Sequence, residues 1–181
     1  MDKAFISVFD ANIFLLGLDF NLIPSTIFTT PKIIEEIEVS KYKDKNRNIL
    51  NRIHAAINNK KLVIKTPQKK YLQDVESKAT ITGDYNALSK VDKELIALTL
   101  ELMKTRNEKV VLYSNDYSIE NVCSELNIHF ESLYKKGIKA KIMWEIFCPF
   151  CNSLHKSEDL NKRCDICGSK LKRRPKNNII Y

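Results

Sequence analysis

The sequence predicts an α/β domain with a mainly parallel sheet, followed by a small module that carries most of the cysteines. Strand-like apolar segments alternate with helical segments through residues 1–134. Four of the five cysteines fall in two CxxC pairs near the C-terminus. The formal net charge is +8, and the whole excess lies in residues 135–181, which contain 12 Lys and Arg but 4 Asp and Glu. A neutral body and a basic appendage that favours a polyanionic partner are therefore expected.

Five short apolar segments predict the strands of the body: Ala4–Phe9, Ile27–Thr29, Leu62–Lys65, Val110–Tyr113 and Ile128–Phe130. Their length and apolar character are typical of strands buried in a sheet. Ile138–Phe147 mixes basic and apolar residues and predicts a further strand that leads into the first cysteine pair.

Capping residues and helical spacing predict the helices between these strands: Ala11–Leu16, Pro31 to Ile37, Asp44–Asn58, Gln68–Thr82 with a weak pattern, Lys90–Lys104 and Tyr117–Leu126. Thr30 and Ser89 stand at the N-cap positions of the second and fifth helices. Pro31 occupies the first helical position, where its missing N–H costs nothing. The alternation of these helices with the strands favours a parallel sheet.

Four carboxylates, at Asp10, Glu36, Asp92 and Asp116, lie on segments that such a fold brings together. Asp10 and Asp116 follow predicted strands, and ligands bind in the crevice beyond the carboxyl ends of parallel strands. A cluster of acids repels itself unless it holds hard cations such as Mg²⁺ or Mn²⁺, which prefer oxygen ligands. Cations held in this way activate water and stabilise an in-line displacement at phosphorus.

Simpler interpretations of three of these acids remain open from the sequence alone. Asp92 is also placed to cap its helix after Ser89, and Asp116 to serve only as an N-cap. Glu36 is also consistent with a solvated helix residue, and Glu35 is an equal candidate by composition. Asp10 differs, because a carboxylate that interrupts an apolar run is costly unless it is used.

Four sequence strings resemble the acidic motifs of the PIN-domain nucleases: VFDANIFLLG, TTPKIIEEI, GDYNALSKVDKELIALTLEL and LYSNDYSIENV. The resemblance implies a PIN-like three-layer domain with Asp10, Glu36, Asp92 and Asp116 as catalytic residues that hold Mg²⁺ or Mn²⁺. It implies supporting roles in the site for Asn12, Ser114 and Asn115. Asn115 departs from a more usual second Asp in the last motif, so one metal position is expected to be weaker.

The two cysteine pairs, Cys148 with Cys151 and Cys164 with Cys167, predict a zinc ribbon. Each knuckle offers two thiolates, and four thiolates complete a tetrahedron, so this zinc is expected to be structural. Two disulfides are the alternative, which a reducing compartment disfavours. His155 is a possible ligand in principle, but the four cysteines already complete the site, which predicts a surface position for it.

Lys170, Lys172, Arg173 and Arg174 follow the second knuckle and predict contacts with RNA phosphates. A solvated tail is the alternative. Trp144, just before the first knuckle, is suited either to stack on a base or to pack between body and ribbon. The predicted division is a nuclease domain over residues 1–136, a ribbon with its basic flank over 137–175, and a tail over 176–181.

The last two acidic segments together with the ribbon are similar to one branch, the Nin-one-binding endoribonuclease family. The resemblance implies cleavage of precursor small-subunit ribosomal RNA near its 3′ end, within an immature ribosomal subunit. A water activated by the catalytic metal would attack the phosphodiester and leave a 5′-phosphate and a 3′-hydroxyl. The rivals are a non-catalytic RNA-binding assembly factor, a toxin-type PIN ribonuclease acting on other RNAs, and a zinc-ribbon transcription factor.

Location and assembly are predicted only in part. No run of 18 apolar residues suggests a membrane span, and Asp10 interrupts the N-terminal apolar run where a signal sequence would be continuous. A cytoplasmic protein is therefore expected. The sequence leaves open whether it is a monomer or a dimer.

Overall fold

The computed structural model describes residues 5–39, 43–132 and 142–176. Five strands form the sheet of the body: β1 (Phe5–Phe9), β2 (Thr26–Thr29), β3 (Leu62–Ile64), β4 (Lys109–Tyr113) and β5 (Phe130–Glu131). Their order is β3-β2-β1-β4-β5, and every neighbouring pair is parallel. The predicted parallel sheet is confirmed.

The helices of the body are α1 (Ala11–Phe14), α2 (Pro31–Glu38), α3 (Lys43–Asn58), α4 (Lys69–Thr82), α5 (Lys90–Thr105) and α6 (Tyr117–Glu125). α2 packs against α1 and α3, whereas α4 packs against α5 and α6. Because parallel crossovers are right-handed, the first three helices cover one face of the sheet and the last three cover the other. The result is the predicted three-layer α/β domain.

The core of the body lies between the sheet and these two helical layers. Val8, Ile27 and Leu112 on the three central strands are fully buried, as are Ile33 of α2 and Ile96 of α5. Strands covered on both faces are expected to be apolar along their length, as these are.

The strand order creates a topological switch point between β1 and β4. From β1 the chain continues to β2 on one side, and from β4 it continues to β5 on the other. Phe9 pairs with Tyr113 at the carboxyl ends of the two strands, so Asp10 and Ser114 leave the sheet side by side. A crevice at such a point is the usual ligand site of parallel α/β sheets.

The C-terminal module has a separate antiparallel sheet formed by β6 (Trp144–Phe147), β7 (Leu154–His155) and β8 (Lys172–Pro175), in the order β7-β6-β8. Its buried core consists of Ile146, Leu171, Cys148 and Cys164. A core this small cannot supply enough apolar burial for independent folding, which implies stabilisation by metal.

Several sequence predictions need adjustment. Lys65 lies outside β3, and the last strand of the body is Phe130–Glu131 rather than Ile128–Phe130. The weak pattern after Gln68 forms a full helix, because its apolar residues recur every fourth position on the buried face. Thr30 stands at the N-cap of α2 but makes no capping hydrogen bond.

Other predictions fall outside the described residues. They concern the boundary between residues 136 and 137, Ala4, the first part of Ile138–Phe147 and the tail beyond Lys176. No described helix is long and apolar enough to cross a lipid bilayer.

Candidate active site and metal centre

Asp10 occupies the centre of the candidate active site. It follows β1 directly and is 6% exposed. Its Oδ1 accepts a hydrogen bond from the backbone N–H of Ala11 at 2.6 Å. Its Oδ2 accepts from the amide Nδ2 of Asn12 at 2.6 Å and from the hydroxyl of Ser114 at 2.8 Å. Three contacts to its oxygens therefore fix the carboxylate in one orientation, and the backbone N–H of Asp10 donates to the Tyr113 carbonyl at 3.2 Å.

The protonation of Asp10 reflects its surroundings. Burial raises the pKa of Asp10 to about 6, although the hydrogen bonds from Ser114 and Ala11 act in the opposite direction. The negative charges of Asp92 and Asp116 act in the same direction as burial and contribute to this raised pKa. The three carboxylates therefore interact electrostatically, and a cation between them would relieve the repulsion.

Asp92 forms a capping box with Ser89 at the start of α5. The hydroxyl of Ser89 accepts from Asp92 N–H at 3.1 Å, and Oδ2 of Asp92 accepts from Ser89 N–H at 2.8 Å. The capping interpretation is thus confirmed. The capping bonds use Oδ2, and the same carboxylate still acts on the pKa of Asp10 across the crevice, so the two roles are compatible.

Asp116 is the N-cap of α6, as the simpler interpretation predicts. Its Oδ1 accepts from the backbone N–H of Ser118 at 2.7 Å, and its own N–H donates to the hydroxyl of Ser114 at 3.1 Å. Ser114 therefore contacts both Asp10 and Asp116, and it is 1% exposed. The Ser114 hydroxyl thus connects the Asp10 carboxylate to the backbone of Asp116.

Glu36 lies on the exposed side of α2. Desolvation and the negative charge of Asp92 raise its pKa, which places its carboxylate within electrostatic range of the crevice. This proximity favours Glu36 over Glu35, a choice that the sequence alone left open.

Asn115 has a partner of its own. Its Oδ1 accepts from the hydroxyl of Ser132 at 2.7 Å, which ties the loop after β4 to the residue that follows β5. The side chain at this position therefore helps to hold the loop that carries Ser114 and Asp116.

The donor set fits a divalent cation. Oδ1 of Asn12 is buried and has no hydrogen-bond partner, so the site presents an unused oxygen next to Asp10. In the described part of the chain, no three of the four carboxylates bring oxygens within 4.8 Å of one another. An open arrangement suits Mg²⁺, which keeps several waters and takes only one or two carboxylates along with substrate phosphates.

The four cysteines of the C-terminal module form a metal-binding cluster. The sulfur atoms of Cys148, Cys151, Cys164 and Cys167 all lie within 4.8 Å of one another. Cys148 and Cys167 are separated by 3.3 Å, and Cys151 and Cys164 by 3.7 Å. A tetrahedral site with metal–sulfur bonds of about 2.3 Å requires sulfur separations of about 3.8 Å, so the cluster is close to that geometry.

His155 is closer to this cluster than its predicted surface position implies. Its side chain is only 11% exposed. Nε2 lies 2.8 Å from the hydroxyl of Ser153 and 3.5 Å from the sulfur of Cys164. The surface prediction is wrong, because the return of β7 beside β6 carries the imidazole over the knuckles.

The predicted RNA-binding residues fall into two groups. Lys170, Lys172 and Arg174 are exposed, although Arg174 also pairs with Glu145 at 2.6 Å. Arg173 instead forms an ion pair with Asp84 of the body at 2.7 Å. Its guanidinium is engaged in a protein contact, so its predicted contact with RNA phosphates stays a prediction.

Sequence patterns missed the residues that receive Arg173. Asp84 is fully buried after the glycine that ends α4, and Asn121 and Ser118 lie on the buried face of α6. Asp84 is the acid of the GDYNALS string, and a carboxylate at that position is a sequence signal for a buried polar contact. The string alone does not identify its partner. Trp144 also packs in this region, with the Arg173 guanidinium 4.5 Å from its ring, which favours the packing interpretation.

Comparisons with known proteins agree with this geometry. A family profile described as PIN domain of ribonuclease matches residues 7–102. An Endoribonuclease Nob1 of Pyrococcus abyssi is 33% identical over 169 residues, which cover 93% of this chain and 93% of that protein. The chain belongs to the Nob1 family of PIN-domain endoribonucleases.

Other relatives extend the comparison. An Endoribonuclease Nob1 of Methanocaldococcus jannaschii is 31% identical over 169 residues, covering 93% of this chain and 77% of that protein. A Ribonuclease VapC1 of Thermoplasma acidophilum is 31% identical over 159 residues, covering 88% of this chain and 73% of that protein. The two Nob1 matches each cover 93% of this chain, so they extend well beyond the length of the PIN profile match at residues 7–102.

Proposed function

We propose that this chain is a metal-dependent endoribonuclease that cleaves precursor small-subunit ribosomal RNA near its 3′ end during ribosome maturation. The observation that carries the proposal is the buried Asp10 carboxylate, oriented by Asn12 and Ser114 at the switch point of a parallel sheet and surrounded by further acids. Membership of the Nob1 family supports the substrate. A non-catalytic assembly factor would have no use for so constrained a buried acid.

Asp10, Asp92 and Asp116 are the proposed metal ligands, with Glu36 as the fourth catalytic acid and Asn12 supplying an amide oxygen. Mn²⁺ or Mg²⁺ is the proposed cation. When bound, such an ion lowers the pKa of an attacking water and neutralises charge on the phosphate. A hydrolysis of this kind gives a 5′-phosphate and a 3′-hydroxyl.

The protein's own residues supply orientation. Ser114 donates to the Asp10 carboxylate while it accepts from Asp116 N–H, so one hydroxyl ties the first acid to the backbone that carries another. The Ser89 cap holds Asp92, and the contact of Asn115 with Ser132 holds the loop of Asp116. Carboxylates fixed in advance need little rearrangement when the cation and the RNA phosphate arrive.

Zn²⁺ is the proposed ion of the cysteine cluster, in a structural role. Four thiolates fill a tetrahedral site and leave no position for substrate. The hydroxyl of Ser153 and backbone N–H groups lower the pKa of Cys164 to about 5, so this residue is a thiolate at neutral pH, the form that binds metal.

The exposed cations Lys170, Lys172 and Arg174 are the proposed RNA contacts of the ribbon. They place positive charge next to a body whose acids repel RNA until metal fills the crevice. We place the protein in the cytoplasm with the immature small subunit as its partner, since metal-bound thiolates persist in a reducing compartment.

A substrate comparison tests the proposal. The purified protein is incubated with Mn²⁺ and, in turn, RNA spanning the small-subunit 3′ end, a transfer RNA and an unrelated messenger fragment. Selective cleavage of the first RNA, lost in the Asp10→Asn variant, is the expected result. Equal cleavage by wild type and variant, or no cleavage of any RNA, would refute the nuclease proposal.

One observation favours a second candidate, a toxin-type ribonuclease. The relative named Ribonuclease VapC1 matches 88% of this chain, far beyond the acidic segments. In the same experiment, this candidate predicts that the transfer RNA or messenger fragment is cleaved in preference to the ribosomal RNA.

A further inference from the structure

The contact between body and ribbon contains a buried ion pair. The Asp84 carboxylate is fully buried, and the Arg173 guanidinium reaches it from β8 at 2.7 Å. Nδ2 of Asn121 donates to the other carboxylate oxygen at 2.6 Å. Replacing a buried ion pair with apolar residues often costs no stability, so such a pair is better suited to fixing an orientation than to adding free energy.

Asn121 extends this contact to the backbone of the ribbon. Its Nδ2 also donates to the Ile142 carbonyl at 2.7 Å, and its Oδ1 accepts from Ile142 N–H at 2.9 Å. The amide thus clamps both backbone groups of one residue just before β6. The Asn121 side chain of α6 therefore holds the backbone in place at the start of the ribbon.

Gly83 allows the two parts to approach closely. It ends α4 with φ +79°, and a Cβ at this position would lie 2.7 Å from the Cβ of Trp144 and would collide with its carbonyl oxygen. The Asn86 amide donates to the Glu158 carbonyl of the ribbon. The end of α4 and the loop after it therefore meet two separate segments of the ribbon.

Arg173 also touches the helix that carries Asp116. Its second terminal nitrogen lies 3.4 Å from the hydroxyl of Ser118, which is buried in the first turn of α6. The backbone N–H of the same serine donates to Oδ1 of Asp116 at 2.7 Å. One residue thus joins the ribbon to a proposed metal ligand.

We propose that Arg173 is a positioning residue through which the docked ribbon holds α6, and with it Asp116, in the arrangement that binds the catalytic metal. The inference rests on the proposed function, because it takes Asp116 as a ligand. Arg173 grips Asp84 and the first turn of α6 together, so the ribbon acts as a brace for the active site as well as an RNA-binding surface.

Mn²⁺ binding without RNA tests this role. The electron paramagnetic resonance signal of aqueous Mn²⁺ gives the dissociation constant for the full, zinc-loaded protein and its variants. Arg173→Ala is expected to weaken Mn²⁺ binding about tenfold. This is the low end of the loss in metal affinity that follows when a residue supporting a metal ligand is removed. Electrostatics alone predicts tighter Mn²⁺ binding in this variant, since removing a positive charge from the protein favours the binding of a cation.

Arg174→Ala is the matched control. It removes the same charge from the next residue of β8, whose ion pair with Glu145 lies within the ribbon. Mn²⁺ affinity equal to wild type is expected for this variant. Asp84→Asn is the second test variant. The double variant of Asp84→Asn with Arg173→Ala should bind Mn²⁺ no more weakly than the weaker of the two single variants, because both substitutions break the same contact.

The outcomes separate the two proposals. Mn²⁺ affinity unchanged by Arg173→Ala and Asp84→Asn, but lost in Asp116→Asn, would overturn the brace and leave the acidic site intact. Unchanged affinity in Asp116→Asn would refute the ligand assignment itself. One zinc per chain and an unchanged far-UV circular dichroism spectrum establish that each variant is folded; if Arg173→Ala is not, Asp84→Asn decides the question.

Discussion

The hydroxyl of Ser114 donates to Oδ2 of Asp10 at 2.8 Å and joins two residues that are 104 positions apart in the sequence. The contact forms because Phe9 and Tyr113 pair at the ends of adjacent parallel strands. It brings the two residues that follow neighbouring strand ends into one site.

Ser114→Ala should lower the rate of RNA cleavage about tenfold, because a hydrogen bond to a charged group is worth about 1.5–3 kcal/mol. Single-turnover rates at saturating Mn²⁺ measure the effect. Ser124→Ala is the control, since that hydroxyl bonds only to the Glu120 carbonyl of its own helix. Equal rates for the two variants would contradict the role given to Ser114.

Asp10→Asn should stabilise the metal-free protein at pH 7.5. Burial raises the pKa of Asp10 from 3.8 to about 6, so the folded state binds this proton more tightly than the unfolded state. Stability from this group is present at low pH and is lost as pH rises through 6. Removing the charge should therefore recover at most about 3 kcal/mol at pH 7.5 and almost nothing at pH 4.

Urea denaturation of the metal-free protein at the two pH values measures this gain. Asp19→Asn, an exposed cap of a short 3₁₀ turn, is the matched control and should change stability little at either pH. A loss of stability in Asp10→Asn at pH 7.5 would show that its charge is already well compensated without metal.

Cys164→Ser should abolish zinc binding and unfold the ribbon while the body stays folded. The ribbon core is too small to be stable without metal, whereas the body has its own large core. Hydrogen exchange should become fast across β6 and β8 and stay slow in β1 and β4. Cys123→Ala, which removes a buried thiol of the body, should keep one zinc per chain.

The triple variant Lys170→Ala, Lys172→Ala and Arg174→Ala should weaken RNA binding and reduce the salt dependence. Each lost phosphate contact on single-stranded RNA lowers the slope of log K against log salt by about 0.7, so a reduction of about 2 is expected. Lys162→Ala is the control, since that charge is already paired with Asp159 at 2.9 Å. An unchanged slope in the triple variant would show that RNA binds to another surface of the protein.

Much of this structure follows from local sequence patterns. Buried strands and capped helices leave periodic signals, so the order of elements and the position of Asp10 at the end of β1 are predictable. The spacing of the cysteine pairs also predicts their cluster, because both knuckles need the same turn geometry.

Contacts between distant segments leave no such signal. Arg173 and Asp84 are 89 positions apart, and Arg173 is indistinguishable in sequence from the exposed cations around it. The choice of Glu36 over Glu35 likewise depends on which side of α2 faces Asp92. His155 is largely covered because β7 folds back beside β6. Tertiary packing decides each of these.

Cleavage of RNA spanning the small-subunit 3′ end by wild type, Asp10→Asn and Asp19→Asn, under single-turnover conditions with Mn²⁺, tests the central claim most directly. A buried carboxylate that holds the catalytic metal predicts that Asp10→Asn loses nearly all activity and that Asp19→Asn keeps it. Equal cleavage by all three proteins would contradict the assignment of this crevice as the active site.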